Sequence, residues 1–389
     1  MINEELERAR AELKKIGADW ALLSSGENVT YVSHFEVPVD YGAVAHLSYV
    51  PSMALLGVSD SASFLLVNNF LTNSARAHST FDEVLDYDLV QLFAPYEKTS
   101  PKDNFTQLLR GALKKAWQGN GKARLAIEEK SLPAIAVRLL ADEFPNVELV
   151  DCGPALTAAR LVKTEREIKL LRFTAEVVNA GQEELIGQCQ QAGKNEYEMW
   201  AAITQAMHVK ADRPLYVSGE LVTGERCREI APGGPRNRAA KLGDLARMDI
   251  SPRVNGYWGD CTNTLLVGGV EPTEKQRLYG AAAQEAFYAA AEMLRPGRRA
   301  RDAFEVASAA FAKHGLEIGH YAGHQIGVTA NEAPWLVPYD GTPIQVGMVF
   351  SIETGSYEGL DGQTGWRVEK SVIVHESGPE IFPDFDLGF

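Results

Sequence analysis

Cysteine is scarce and scattered in this chain: Cys152, Cys189, Cys227 and Cys261 form no CxxC and no close pair. That excludes a disulfide framework and a thiolate zinc site, and it fits a reducing compartment. No apolar run approaches the roughly 18 residues that a membrane span needs. The start, Met1 to Lys15, is charged at helical spacing and is not built as a signal peptide. A soluble, cytoplasmic protein without a membrane partner is expected. A basic block is also missing and the net charge is -14, so no nucleic-acid partner is expected either. The chain has no Gly-rich phosphate loop, no GxSxG and no HExxH. What remains is an ordinary globular composition, 45% apolar and 23% charged over 389 residues, with two domains as the natural expectation.

The first part alternates helix and strand patterns. Leu6, Ala9, Leu13 and Ile16 mark a surface helix over 3–16, stopped at Gly17. Strand-like runs follow at 20–23, 53–58 and 63–67, then a helix at 103–117, a strand at 123–127, a helix at 132–143 and a strand at 147–151. Such alternation predicts a mixed or parallel sheet covered by helices. His34, His46 and His78 are isolated and read as structural or exposed. The boundary falls near Asp151-Cys152-Gly153-Pro154, giving domains 1–153 and 154–389. Beyond it, Thr164-Glu165-Arg166-Glu167 opens a long helical segment, and a second helix spans 195–210. Residues 219–242 read as irregular, and helices are expected at 273–294 and 301–314.

The chemistry lies in acids placed on strand-like runs. Asp249 ends one such run and Asp260 lies in the next, with Asn255-Gly256 as a hairpin turn between them. Glu353 and Glu369 each close a further apolar run, and His324 stands in His320-Tyr321-Ala322-Gly323-His324-Gln325-Ile326-Gly327. Carboxylates brought together this way repel one another without a counter-charge. Four carboxylates and one histidine make an oxygen-rich site suited to two divalent ions, manganese, cobalt, iron or zinc. An ordinary buried ion pair of Glu353 and Glu369 with Arg367, Lys370 or another base is the alternative. Trp258 and Trp366 flank the site in sequence and read equally well as core, while Arg226, Arg228, Arg236 and Arg238 are either pocket or surface charges.

Taken as a set, these motifs resemble the creatinase–prolidase–aminopeptidase P family, the pita-bread metallohydrolases related to methionine aminopeptidase. The pattern appears as Gly243-Asp244 leading to Asp249, Gly256-Tyr257, Asp260 and Thr262. It continues in Gly323-His324, Glu332 and Pro334, Gly347-Met348-Val349, Ile352-Glu353 and Arg367-Val368-Glu369, so the resemblance spans the whole chain. It implies an α/β creatinase-type N-terminal domain and an α+β pita-bread catalytic domain, and commonly a homodimer. In that arrangement the loop around Phe35 and Tyr41 is a candidate lid. The resemblance places Asp249, Asp260, His324, Glu353 and Glu369 around two metals, with manganese favoured. Asp260 and Glu369 bridge, Asp249 holds one ion, and His324 with Glu353 holds the other. Glu353 is the candidate to move the proton, and His320 is a further catalytic candidate. Asn331, Arg228 and Arg367 are substrate-binding candidates, Arg367 also as an orienting partner for Glu369.

Two positions depart from the peptidase pattern. Peptidases of this family carry a histidine eleven residues before the Gly of the Gly-Asp pair and another seven residues after the metal histidine; here those positions are Pro232 and Asn331. Such donors stabilise the developing charge on a scissile amide, and losing one costs on the order of 10²–10³ in rate. The expectation is therefore a dinuclear hydrolase of a C–N bond in a small substrate. A genuine Xaa-Pro dipeptidase or aminopeptidase, a metal-dependent lyase on the same scaffold and a non-catalytic binding module are the alternatives.

Overall fold

The computed structural model describes residues 3–39, 50, 52–59, 62–89, 100–117 and 122–388. Contact density divides the chain after Arg160 into two compact units, Met1–Arg160 and Leu161–Phe389. Tyr41 and His46 lie outside the described residues. Phe35 is 2% exposed, so it packs as core and does not project as a lid.

The first unit runs α1 (Glu4–Lys15), β1 (Trp20–Leu23), α2 (Gly26–Ser33), β2 (Met53–Gly57), β3 (Ser63–Asn68), α3 (Thr72–His78) and β4 (Glu83–Tyr87). It continues with α4 (Pro101–Ala116), β5 (Ala123–Ile127), α5 (Ala134–Glu143), β6 (Val147–Asp151) and α6 (Gly153–Arg160). The sheet order is β4-β3-β2-β1-β5-β6. Pairs β1/β2 and β2/β3 are antiparallel and the rest parallel, the mixed sheet expected from the alternating pattern. Strands β2 and β3 are buried at every residue and meet α4 and α5 through Phe105, Leu109, Leu113, Leu139 and Leu140. The short helices α2 and α3 and the edge strand β4 are additions to the sequence reading.

The second unit opens with two helices, α7 (Glu165–Cys189) and α8 (Glu196–Ala211). Both start on capping boxes, Thr164 with Glu167 and Asn195 with Glu198, in which side chain and backbone satisfy each other's free groups. Then come β7 (Tyr216–Thr223), β8 (Leu245–Val254), β9 (Tyr257–Trp258) and β10 (Cys261–Leu266). Helices α9 (Glu274–Met293) and α10 (Ala300–Lys313) precede β11 (Gly323–Gln325), β12 (Glu332–Trp335), β13 (Val349–Tyr357), β14 (Gly365–His375) and β15 (Gly378–Phe382). Two antiparallel sheets result, β10-β8-β7 with β9 on β8, and β12-β11-β13-β14-β15.

Alternation along the strands sorts this unit into two faces. On β8 and β10, Ala246, Met248, Ile250 and Leu265 pack with α7 and α8. On β13 and β14, Phe350, Ile352, Trp366, Val368 and Val372 pack into the core of α9 and α10, which settles Trp366 as core. The intervening residues, Arg247, Asp249, Ser351, Glu353, Arg367 and Glu369, share the opposite face. The two sheets meet where β10 lies against β14: Thr264 Oγ1 donates to the Arg367 carbonyl at 2.8 Å and Thr262 Oγ1 to Glu369 Oε2 at 2.8 Å. One continuous polar face carries all the acids.

Candidate metal centre

The turn at Asn255-Gly256 has φ of 51° and 84°, the left-handed pair that closes a two-residue hairpin. It pairs Val254 with Tyr257 and leaves Asp260 at the mouth of β10, hydrogen-bonded by Ser251 Oγ at 2.8 Å. Asp249 does not end its strand as expected; β8 runs on to Val254, and Asp249 is paired with Thr262 on one side and Glu220 on the other. Glu353 and Glu369 likewise sit inside β13 and β14, as direct cross-strand partners. Four buried or half-buried acids thus occupy strand interiors or edges on one face. Like charges so placed destabilise a sheet unless a counter-charge lies between them.

His324 lies on β11, opposite Ser351. Its Nδ1 lies 2.9 Å from the Gln325 carbonyl, which can only accept, so Nδ1 carries a proton and Nε2 faces the acids. Nε2 stands 3.4 Å from Glu353 Oε1 and 3.8 Å from Asp260 Oδ2. One ligand atom from each of Asp260, His324 and Glu369 lies within 4.8 Å of the others.

Two orphaned atoms test whether this set fits a cation. His324 Nε2 and Glu369 Oε1 are buried and have no hydrogen-bond partner, and burying such atoms unpaired costs about 1–3 kcal/mol each. Charge gives the same answer. Asp249, Asp260, Glu353, Glu369 and Glu220 are answered by two guanidinium groups, Arg247 and Arg367. The three negative charges left over are more than one divalent ion cancels. The acids respond to one another accordingly. Burial, then Asp249, pushes Asp260 up to about 8. Burial, then Asp260 and Glu353, pushes Glu369 well above the carboxylate range. Burial also raises Glu353, but His324 and Arg367 overcome it and hold that carboxyl at about 2. The donor set fits divalent metal.

Lys370 faces away, to the Phe385 carbonyl, while Arg367 makes a long ion pair with Glu353 at 4.0 Å, so part of the ion-pair alternative is present beside the acid cluster. Arg367 was expected to orient Glu369. It donates instead to Asp249 at 2.5 Å and Glu220 at 3.0 Å, because β7 and β8 bring those acids across from it. Glu220 and Arg247 were missed from sequence. Arg247 is fully buried and donates to Glu220 at 3.1 Å, to the Cys227 carbonyl at 3.0 Å and to the Glu229 carbonyl at 2.8 Å. A charge two residues before Asp249 in an otherwise apolar run was the available signal.

Burial lowers the pKa of His320, which favours its neutral ring. Its Nδ1 donates to the Tyr321 carbonyl at 2.7 Å, so Nε2 accepts from the Tyr357 hydroxyl at 3.0 Å. Asn331 is exposed before β12, and Pro232 is buried with its carbonyl accepting from Arg226 at 3.1 Å. Arg228 lines a separate cavity with Tyr357. Of the other pocket candidates, Arg226 pairs with Glu196 at 2.7 Å and Arg238 with Asp244 at 2.7 Å. Arg236 is exposed. Trp258 stacks edge-on against Tyr216.

The histidine strand is pinned from behind. Buried Lys163 donates to Glu332 at 2.8 Å and to Gln325 Oε1 at 3.1 Å. Replacing Lys163 with Met removes the buried cation that faces Glu332, whose Oε1 still accepts from Thr329, so a loss of about 3–5 kcal/mol is expected in denaturant unfolding. A loss below about 1 kcal/mol contradicts this role.

The model of metallopeptidase family M24 matches residues 169–376, and the creatinase/prolidase N-terminal domain matches residues 5–162. An Xaa-Pro dipeptidase of Pyrococcus horikoshii is 24% identical over 384 residues, covering 97% of this chain and 96% of the relative. A creatinase of Bacillus sp. is 23% identical over 402 residues, covering 98% and 90%. The crystal structure of the prolidase from Pyrococcus horikoshii superposes with a TM-score of 0.79 at 21% identity, covering 99% of both chains. A creatinase-type domain followed by a pita-bread domain with this donor set places the chain in metallopeptidase family M24, as a metal-dependent hydrolase.

Proposed function

We propose that the protein is a dinuclear metal-dependent hydrolase of an amide-type C–N bond in a small substrate. The catalytic domain assigned from sequence, 154–389, would hold two ions through Asp249, Asp260, His324, Glu353 and Glu369. The observation that carries the reading is the pair of buried, unpartnered atoms, His324 Nε2 and Glu369 Oε1, facing an excess of carboxylates. An oxygen-rich set with one imidazole suits manganese best among manganese, cobalt, iron and zinc. When bound, such ions polarise the scissile carbonyl and acidify water.

The chain's own residues supply the rest. Glu353 is ionised across the neutral range and takes the proton from the attacking water, then returns it to the leaving nitrogen. Arg367 fixes Asp249, and Tyr357 holds the neutral His320 ring toward the substrate. Pro232 has no donor and Asn331 is exposed, which favours a small non-peptide amide over an Xaa-Pro peptide. A binding module is disfavoured because every ligand position is filled. The same reading takes the protein as a cytoplasmic homodimer; among the described residues no helix is long and apolar enough to cross a membrane.

The experiment is metal analysis with a turnover panel of Xaa-Pro dipeptides, proline-leading tripeptides, creatine and related small amides, with and without manganese. About two ions per chain and faster turnover of a non-peptide amide are expected. Proline-peptide turnover above all others would restore the dipeptidase alternative. Absence of bound metal would sink the mechanism.

A further inference from the structure

Most hydrogen-bond donors around the acids are committed to protein partners. Ser251 donates to Asp260 and Thr262 to Glu369. The terminal nitrogens of Arg247 and Arg367 go to Glu220, Asp249 and the carbonyls of Cys227, Glu229 and Ile230. The Tyr357 hydroxyl gives its one proton to His320 Nε2, and the His320 Nδ1 proton goes to the Tyr321 carbonyl. The two positions where peptidases of the family carry a donor histidine hold Pro232, which has none, and the exposed Asn331. A hydrogen bond to an oxyanion formed at this site has to come from elsewhere in the chain.

Tyr321 is placed to give it. Its segment is tied to the strand that carries Glu353: the Glu353 N–H donates to the Ala322 carbonyl at 3.0 Å, and Gly323 pairs with Ile352. Its ring is fixed by edge-on packing, with centroids 5.1 Å from Trp335, 5.3 Å from His320 and 6.0 Å from His324. The residue is half-buried, so one side stays open. Its hydroxyl end meets the acids. Burial raises its pKa first, then Glu353 by charge and as a hydrogen-bond acceptor, then Glu369 and Asp260. A phenol, with an ordinary pKa of about 10, is an O–H donor across the neutral range.

We propose that Tyr321 is a catalytic residue whose hydroxyl donates a hydrogen bond to the substrate oxygen that turns negative when the C–N bond is attacked. The water oxygen bonds to the carbonyl carbon, its proton passes to Glu353, and the C=O electron pair moves onto the oxygen facing Tyr321. On collapse that pair re-forms C=O, the C–N bond breaks, and Glu353 returns the proton to the nitrogen. The phenol keeps its own proton throughout. This step rests on the hydrolase reading, whereas the contact with an oxyanion can be read from binding alone.

The test compares metal-loaded wild type with Tyr321→Phe, which keeps the ring and removes the hydroxyl. For the fastest-turned-over amide of the panel, kcat should fall roughly 10²- to 10³-fold while KM changes little. Calorimetric binding of methylphosphonate, a tetrahedral oxyanion, should weaken roughly 10- to 100-fold. Acetamide, planar and neutral, should bind both proteins alike. Metal content and melting temperature should match wild type, because the ring still packs against Trp335 and His324. An unchanged kcat, or methylphosphonate bound equally by both proteins, overturns the inference. Loss of metal or of melting temperature in step with kcat also overturns it, since the hydroxyl would then be holding Glu353 and not the substrate. If no amide is turned over, weakened methylphosphonate binding in Tyr321→Phe upholds the oxyanion contact and sinks only the hydrolase reading.

Discussion

Replacing Glu353 with Gln is expected to lower kcat roughly 10³-fold at full metal occupancy, within the range general acid–base catalysis contributes. The substitution is nearly isosteric, so packing within β13 and against Glu369 is kept. What changes is the proton. His324 and Arg367 outweigh its burial and hold Glu353 at about 2, so it is ionised at neutral pH and has a free lone pair for a proton in transit. A carboxamide in the same place cannot accept one. Because Glu353 is also a proposed ligand, the variant should bind metal roughly 10- to 100-fold more weakly. Saturating metal therefore has to be added before kcat is compared. An activity within tenfold of wild type at measured full occupancy would remove Glu353 as the proton carrier.

Much of this was legible because local chemistry and burial agreed. Asn255-Gly256 announced a hairpin, and the observed register brings Asp249 and Asp260 to one end of it. The long helix α7 announced itself through its Thr164 cap, and α9 and α10 were legible as long helical segments. The strands failed where the site interrupts them. Glu353 and Glu369 looked like strand ends, since a charge is costly in a buried strand; they stand mid-strand because the site answers that cost. Strand β7 was hidden in a stretch read as irregular, as Ser218, Gly219 and Glu220 break its apolar pattern, and with it went Glu220. Arg367 illustrates a different limit. Its face was legible from the two-residue period, but its partner, Asp249, is 118 residues away. No periodicity within one strand reports which acid another sheet brings opposite.

Removing the metal should make stability depend on pH in one direction: the melting temperature of the stripped protein is expected to fall as pH rises from 5 to 8. Asp260 is raised from 3.8 to about 8 by burial and by Asp249, and Glu369 is raised by burial and by Asp260. Each keeps in the folded state a proton that the unfolded chain releases at lower pH. Across that window the native state binds more protons, so unfolding is favoured progressively as pH increases. Glu353 acts oppositely, but lower down. Its pKa falls from 4.5 to about 2, so its contribution is complete above 4.5 and is lost only on acidification below it. Divalent ions reverse the first effect by replacing the protons as the counter-charge. Manganese at about 100 times its dissociation constant should add about 2.7 kcal/mol per site, a rise on the order of 5–10 °C, largest near pH 8. Calorimetric scans of stripped and reloaded protein at pH 5 and 8 measure both. A stripped protein whose stability is flat or rises over that window would mean that the carboxylates do not repel one another as their positions require. A melting temperature indifferent to manganese, cobalt and zinc would mean that they do not gather around a metal at all.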